Sequence, residues 1–177
     1  MNYNKVYTQD FVNGIGVGVS LFVQGCQRAY EGNPCKGCFN RITWNPSGGK
    51  EYTEETQNEI LKALSPDFIS HLSILGGEPL DECNIETLTG LCRKAKELYP
   101  EKKIWVWTGY TFEELWSKRG MNGKTSDMDI LLSNIDVLVD GPYIESLKPS
   151  AKPWTGSGNQ RVLNSQKSLA YGQVILL

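Results

Sequence analysis

Apolar segments of strand length alternate with amphipathic segments of helix length along most of this chain, and that alternation limits the fold more than any single residue does. Residues 17–24, VGVSLFVQ, read as a buried strand, and 71–75, 104–108 and 135–139 read the same way. Between them, Thr53 precedes a helix carrying Ile60, Leu61 and Leu64 on one side. Asn84 is placed to cap a second helix, with Ile85, Leu88, Leu91, Cys92, Ala95 and Leu98 at three-to-four spacing. Thr111 and Glu114 form a capping box that opens a third. Residues 129–133 look briefly helical, 118–126 and 146–159 read as loops, and QRVLN and GQVILL supply strands near the end. Strand, helix and strand in succession build parallel βαβ units with right-handed crossovers. Four or five such strands in 177 residues are too few for an eightfold barrel, which typically takes about 250 residues. The expected fold is therefore α/β, an incomplete parallel α/β barrel, as a single domain over residues 1–177.

Such architectures gather their functional loops at the C-terminal ends of the strands. Cys26, Cys35 and Cys38 follow the first strand, Gly76-Gly77-Glu78-Pro79 the second, Thr108-Gly109 the third and Asp140-Gly141 the fourth. Thiolates are soft, charged metal donors, and the spacing of Cys35 and Cys38 lets two sulfurs reach one inorganic centre. Three cysteines are one fewer than the four that close a four-iron cluster, which leaves one iron open to an outside ligand. A closed zinc site, with His71 or Cys83 as fourth ligand, is the alternative that spacing leaves open. Five cysteines, three of them within thirteen positions, fit a reducing compartment and a metal site better than a disulfide framework. Cys92, on an apolar helix face, reads as core.

Gly76 and Gly77 would let backbone approach a ligand, and Glu78 could hold an ammonium group, although two glycines after a strand are most often only a turn. His71, the single histidine, reads as a surface or hydrogen-bonded group, and Asp140-Gly141 as a strand-end turn. The net charge of −2 and scattered Lys and Arg form no basic stripe, so nucleic acid is not an expected partner. Neither a signal-like stretch in MNYNKVYTQD nor an apolar run of about 18 residues occurs, so a cytoplasmic protein away from membranes is expected.

Taken in order, DFVNGIG, LFVQGC, CKGCFNRITW, the Gly-Gly-Glu-Pro-Leu loop, IWVWTGYTFEEL, IDVLVDGPY and GSGNQRV resemble the radical S-adenosylmethionine enzymes. More narrowly, they resemble the activating proteins of anaerobic (class III) ribonucleoside-triphosphate reductases. The resemblance implies an incomplete α/β barrel with one 4Fe-4S cluster, three irons held by Cys26, Cys35 and Cys38 and the fourth by S-adenosylmethionine. It implies that Gly76, Gly77 and Glu78 receive the methionine amine, that Gly37, Phe39 and Asn40 lie beside the nucleoside, and that Trp107, Thr108 and Gly109 complete that pocket. The implied activity is reductive cleavage of S-adenosylmethionine to place a glycyl radical on the reductase large subunit, with an electron donor such as flavodoxin. The alternatives are a small radical enzyme of the 7-carboxy-7-deazaguanine synthase type and a non-catalytic zinc-stabilised module.

The chain departs from the family pattern in two places. Gly14-Ile15-Gly16 and Gly18 stand where a Gly-Pro-Gly and an arginine are usual. Eight residues, Gln27 to Pro34, separate the first two cysteines where three are usual. Lengthening a flexible loop this way costs only about 0.7 kcal/mol, and Gly32-Asn33-Pro34 supplies a turn.

Overall fold

Side chains in a strand point alternately to its two faces, and β2 (Val17–Val23) uses that alternation to separate two environments. Val19, Leu21 and Val23 are fully buried in the main apolar core, while Ser20 lies on the other side. The same division runs through β4 (Ile69–Gly76), where Leu72 and Ile74 join the core and His71 and Ser73 do not. The computed structural model describes residues 1–118 and 126–177. Those residues form one seven-stranded sheet of order β3-β1-β2-β4-β5-β6-β7. β1 is Asn2–Asp10, β3 Lys50–Glu51, β5 Lys103–Trp107, β6 Val137–Asp140 and β7 Arg161–Asn164.

The four central strands, β2, β4, β5 and β6, are mutually parallel, as the alternation with helices requires. Antiparallel strands flank them: β1 beside β2, β3 beside β1, and β7 beside β6. Three longer helices follow the parallel strands: α2 (Glu54–Leu64), α3 (Glu82–Leu98) and, after the short α4 (Phe112–Lys118), α5 (Asp127–Asn134). The apolar sides of these four helices, including Ile60, Leu64, Leu88, Leu91, Leu115 and Leu131, enter the core shared with the sheet. Cys92 is fully buried there, as its helical phase requires.

Local chemistry fixes the helix starts. The Thr53 hydroxyl accepts from the Thr56 amide. Thr111 and Glu114 exchange both bonds of a capping box, the Glu114 carboxylate accepting from the Thr111 amide at 2.7 Å and the Thr111 hydroxyl from the Glu114 amide at 3.3 Å. Asn84 is not the cap of α3. Asp81 holds that position, and Asn84, fully buried inside the first turn, donates to the carbonyls of Gln24 and Glu78. A one-turn helix, α1 (Gln27–Tyr30), lies between the first two cysteines, and α6 (Ser165–Tyr171) follows β7. The GQVILL tail forms one bridge, Leu176 to Leu163, in place of a full strand. Most of the Gly- and Lys-rich stretch 118–126 lies outside the described residues.

The sheet face opposite the core is covered by two loops. Residues 11–16 cross it near His71 and Ser73, and both side chains bond the Asn13 carbonyl, at 2.7 and 2.5 Å. His71 is only 1% exposed, so of its two expected roles the hydrogen-bonded one is found, and burial pushes its imidazole below the usual range. From the other side Trp154 packs on Trp105 and donates its indole N–H to the Gly14 carbonyl at 3.0 Å. Its own carbonyl accepts from Trp107 at 2.7 Å. These two bonds hold Trp154 at a φ of 62°, an unusual left-handed backbone for a bulky residue.

Candidate active site

Each of the four parallel strands delivers its C-terminal end to one cavity of about 490 Å³. The segment after β2 contributes Cys26, Cys35, Cys38, Phe39 and Asn40. β4 contributes Gly76, Gly77 and Glu78, β5 contributes Trp107, Thr108 and Gly109, and β6 contributes Gly141. Gly37 does not line the cavity. Its backbone has a φ of 76°, and a side chain there would strike Glu145, so the loop requires glycine at this position. Asp140 is also structural: fully buried, its carboxylate accepts from the Phe112 amide and from Arg161.

Backbone hydrogen bonds pin the cysteine loop from several directions. The Cys26 amide donates to the Trp44 carbonyl at 3.0 Å, and the Cys38 amide to the Cys35 carbonyl at 3.1 Å. The Trp44 indole N–H points at the Cys38 sulfur at 3.4 Å. Asn40 donates to the Gly76 carbonyl at 3.2 Å, joining the end of this loop to the glycine pair. Phe39 is 72% exposed and meets Tyr143 edge to face at the cavity rim. The glycine pair is required by protein backbone. A Cβ on Gly76 would lie 2.6 Å from the Val23 carbonyl oxygen, and one on Gly77 2.1 Å from that of Gly25.

Glu78 is buried and acts first as a clamp. One of its oxygens accepts from the Thr108 hydroxyl at 2.7 Å and the Leu80 amide at 3.0 Å, and the other from the Gly109 amide at 2.7 Å. Burial raises its carboxyl pKa to about 7, against the lowering effect of those donors. The native state therefore keeps a proton that the unfolded chain gives up near pH 4.5, and stability falls as pH rises from about 4.5 to about 7. Glu78→Gln removes this dependence. Denaturant unfolding at pH 5 and pH 8 should show wild type losing on the order of 3 kcal/mol relative to the variant, whatever the constant offset between them.

Three cysteines on one cavity wall suit a cluster, in which each thiolate holds a different iron. Burial pushes the Cys26 thiol up to about 12 and raises that of Cys35, so thiolates at these positions need a cationic centre to balance them. The two residues that spacing offers as a fourth zinc ligand stand elsewhere. His71 is engaged under the 11–16 loop, and Cys83 is exposed and does not line the cavity. Among the described residues, no three His, Cys, Asp or Glu side chains converge closely enough to grip a single ion.

Sequence reasoning missed much of the remaining wall, including Val12, Asn13, Tyr143 and Trp154. These come from loops whose approach depends on tertiary packing. The segments DFVNGIG and IDVLVDGPY contain the first three and were the available signal for them.

Comparison with protein families gives the class first: residues 12–163 match the model of the 4Fe-4S single cluster domain. Among curated proteins, the chain is 42% identical over 162 residues to the anaerobic ribonucleoside-triphosphate reductase-activating protein of Enterobacteria phage T4, covering 92% of this chain and 93% of that protein. The proteins of the same name from Vibrio cholerae and Escherichia coli K12 are 39% and 35% identical, covering 90% and 92% of this chain and 96% and 97% of their own lengths. The chain belongs to the family of anaerobic ribonucleoside-triphosphate reductase-activating proteins.

Proposed function

We propose that this protein activates an anaerobic ribonucleoside-triphosphate reductase by generating a glycyl radical on its large subunit, using S-adenosylmethionine. The observation that carries this reading is the meeting of Cys26, Cys35 and Cys38 with Asn40, Gly76, Glu78 and Thr108 around one cavity at the C-terminal edge of a parallel sheet. The names of the relatives supply the partner class. In this reading the chain from 1 to 177 is one domain, an open part-barrel of the radical S-adenosylmethionine type. Each of the three cysteines holds one iron of a 4Fe-4S cluster.

When bound, the cluster supplies the single electron for cleaving the sulfonium carbon–sulfur bond, drawn from a carrier such as flavodoxin. The chain's own residues do the rest by position. Glu78 ties the β4 and β5 loops together through Thr108 and Gly109, and Asn40 fixes the cysteine loop to Gly76. The loop that carries Gly76, Gly77 and Glu78 receives the amino-acid end of the cofactor. Phe39, Asn40, Trp107, Thr108 and Gly109 flank its nucleoside. Phe22, Leu75, Trp107 and Trp154 make one wall apolar, which keeps water from the reacting carbon.

The test is to mix reconstituted protein anaerobically with reductase, reductant and S-adenosylmethionine. A glycyl radical signal on the reductase is expected, with 5′-deoxyadenosine and methionine as products. Deoxyadenosine without the radical would shift the assignment to a small-metabolite enzyme, and the absence of both would reject radical chemistry.

A further inference from the structure

Eight residues separate Cys26 from Cys35, and the first four of them form α1, a single helical turn, too short to be stable by itself. Its N-cap is Cys26, whose side chain makes no capping bond. We propose that Asp81 is the positioning residue that sets Cys26 in place, an inference that rests on reading Cys26 as a cluster ligand.

Asp81 occupies the N-cap of α3, yet its side chain caps nothing in its own helix. The carboxylate reaches 54 residues back and accepts from the Gln27 amide, the first of α1, at 2.5 Å. Its other oxygen accepts from the Tyr110 hydroxyl at 2.7 Å. Asp81 is 4% exposed, so both oxygens spend their acceptor capacity inside the protein, and bonds to an ionised acceptor are the stronger kind.

Tyr110 is itself held. Its amide donates to the Thr108 hydroxyl at 3.1 Å, and the guanidinium of Arg28, the second residue of α1, lies 5.4 Å from its ring. The turn after Cys26 is thereby gripped by the start of α3 and by the loop after β5. The contacts fall on Gln27 and Arg28, the two residues directly after Cys26, so they act on the cysteine's own end of the loop.

Four proteins taken through anaerobic reconstitution test the role: wild type, Asp81→Asn, Tyr110→Phe and Cys26→Ala. The measurements are the rate of iron release to an iron(II) chelator, the EPR line shape of the reduced cluster, its midpoint potential, and the thermal midpoint. The Asp81 side chain makes no capping bond within α3, so replacing it does not remove one and helix stability is not the variable. Asp81→Asn is expected to release iron about tenfold faster with an altered line shape, and to shift the potential upward because a negative charge beside the cluster is gone. Tyr110→Phe, which keeps the charge, should speed release by a smaller factor and leave the potential unchanged. Wild-type release and line shape in Asp81→Asn would overturn the proposal. Should that variant fail to fold, wild-type release in Tyr110→Phe would do so. Full iron and an unchanged spectrum in Cys26→Ala would instead reject the ligand reading on which the role depends.

Discussion

Alanine at Cys26, Cys35 or Cys38 is expected to bring cluster iron to background and to reduce S-adenosylmethionine cleavage by more than about 100-fold. Even a group standing behind a metal ligand costs 10–100-fold when lost, so removal of a ligand exceeds that range. Each position has its own reason to be intolerant. Cys26 and Cys35 are partly buried in a wall where burial disfavours an unbalanced thiolate, and Cys38 is fixed by the Trp44 indole. The remaining two cysteines provide controls within the same chain. Cys83→Ala, at an exposed position off the cavity, should retain full iron. Cys92→Ala should retain iron too, at a modest cost in stability from the lost core sulfur. Iron per chain after anaerobic reconstitution, read beside product formation, checks all five.

The second large effect is on folding. Gly77→Ala is expected to destabilise the protein by about 3 kcal/mol, the upper part of the range for overpacking, and to lower the melting temperature by about 6–12 °C. The added carbon would stand 2.1 Å from the Gly25 oxygen and 2.9 Å from the Thr43 oxygen, and both are backbone atoms. Neither can turn aside as a flexible side chain would. Moving them breaks the bonds from the Glu78 amide to the Gly25 carbonyl and from the Gly25 amide to the Thr43 carbonyl. Gly25 directly precedes Cys26, so the strain passes to the cluster loop and iron retention should fall with stability. Gly90→Ala is the contrast. That glycine sits within α3 with open space around it, so alanine should stabilise by up to about 1 kcal/mol without touching the site.

The four parallel strands were legible because burial on one or both faces leaves dense runs of Val, Ile and Leu, and the turns at their ends carry glycine or cysteine. The capping chemistry of Thr53 and Thr111 was equally readable, because a cap is a local bond. β1 was not legible. Its sequence, NYNKVYTQD, is polar and largely exposed, and it becomes a strand by pairing antiparallel with β2. Asn84 misled because a side chain suited to capping was used instead to join two distant carbonyls. For the site, the cysteines and the strand-end loops were visible as motifs, whereas Gly37 answered to a contact with Glu145 that spacing does not show. Asp81 escaped notice for a related reason: both of its partners, Gln27 and Tyr110, are distant in sequence.

The bond from Trp154 to the Gly14 carbonyl spans 140 positions. On the ribosome, the cysteines emerge long before that tryptophan does, and the nascent chain passes through a period in which its thiols have no enclosing wall. The wall that Trp154 completes is therefore a late product of synthesis, and a chain that stalls before the second loop exists would leave that side of the cavity open to oxidants.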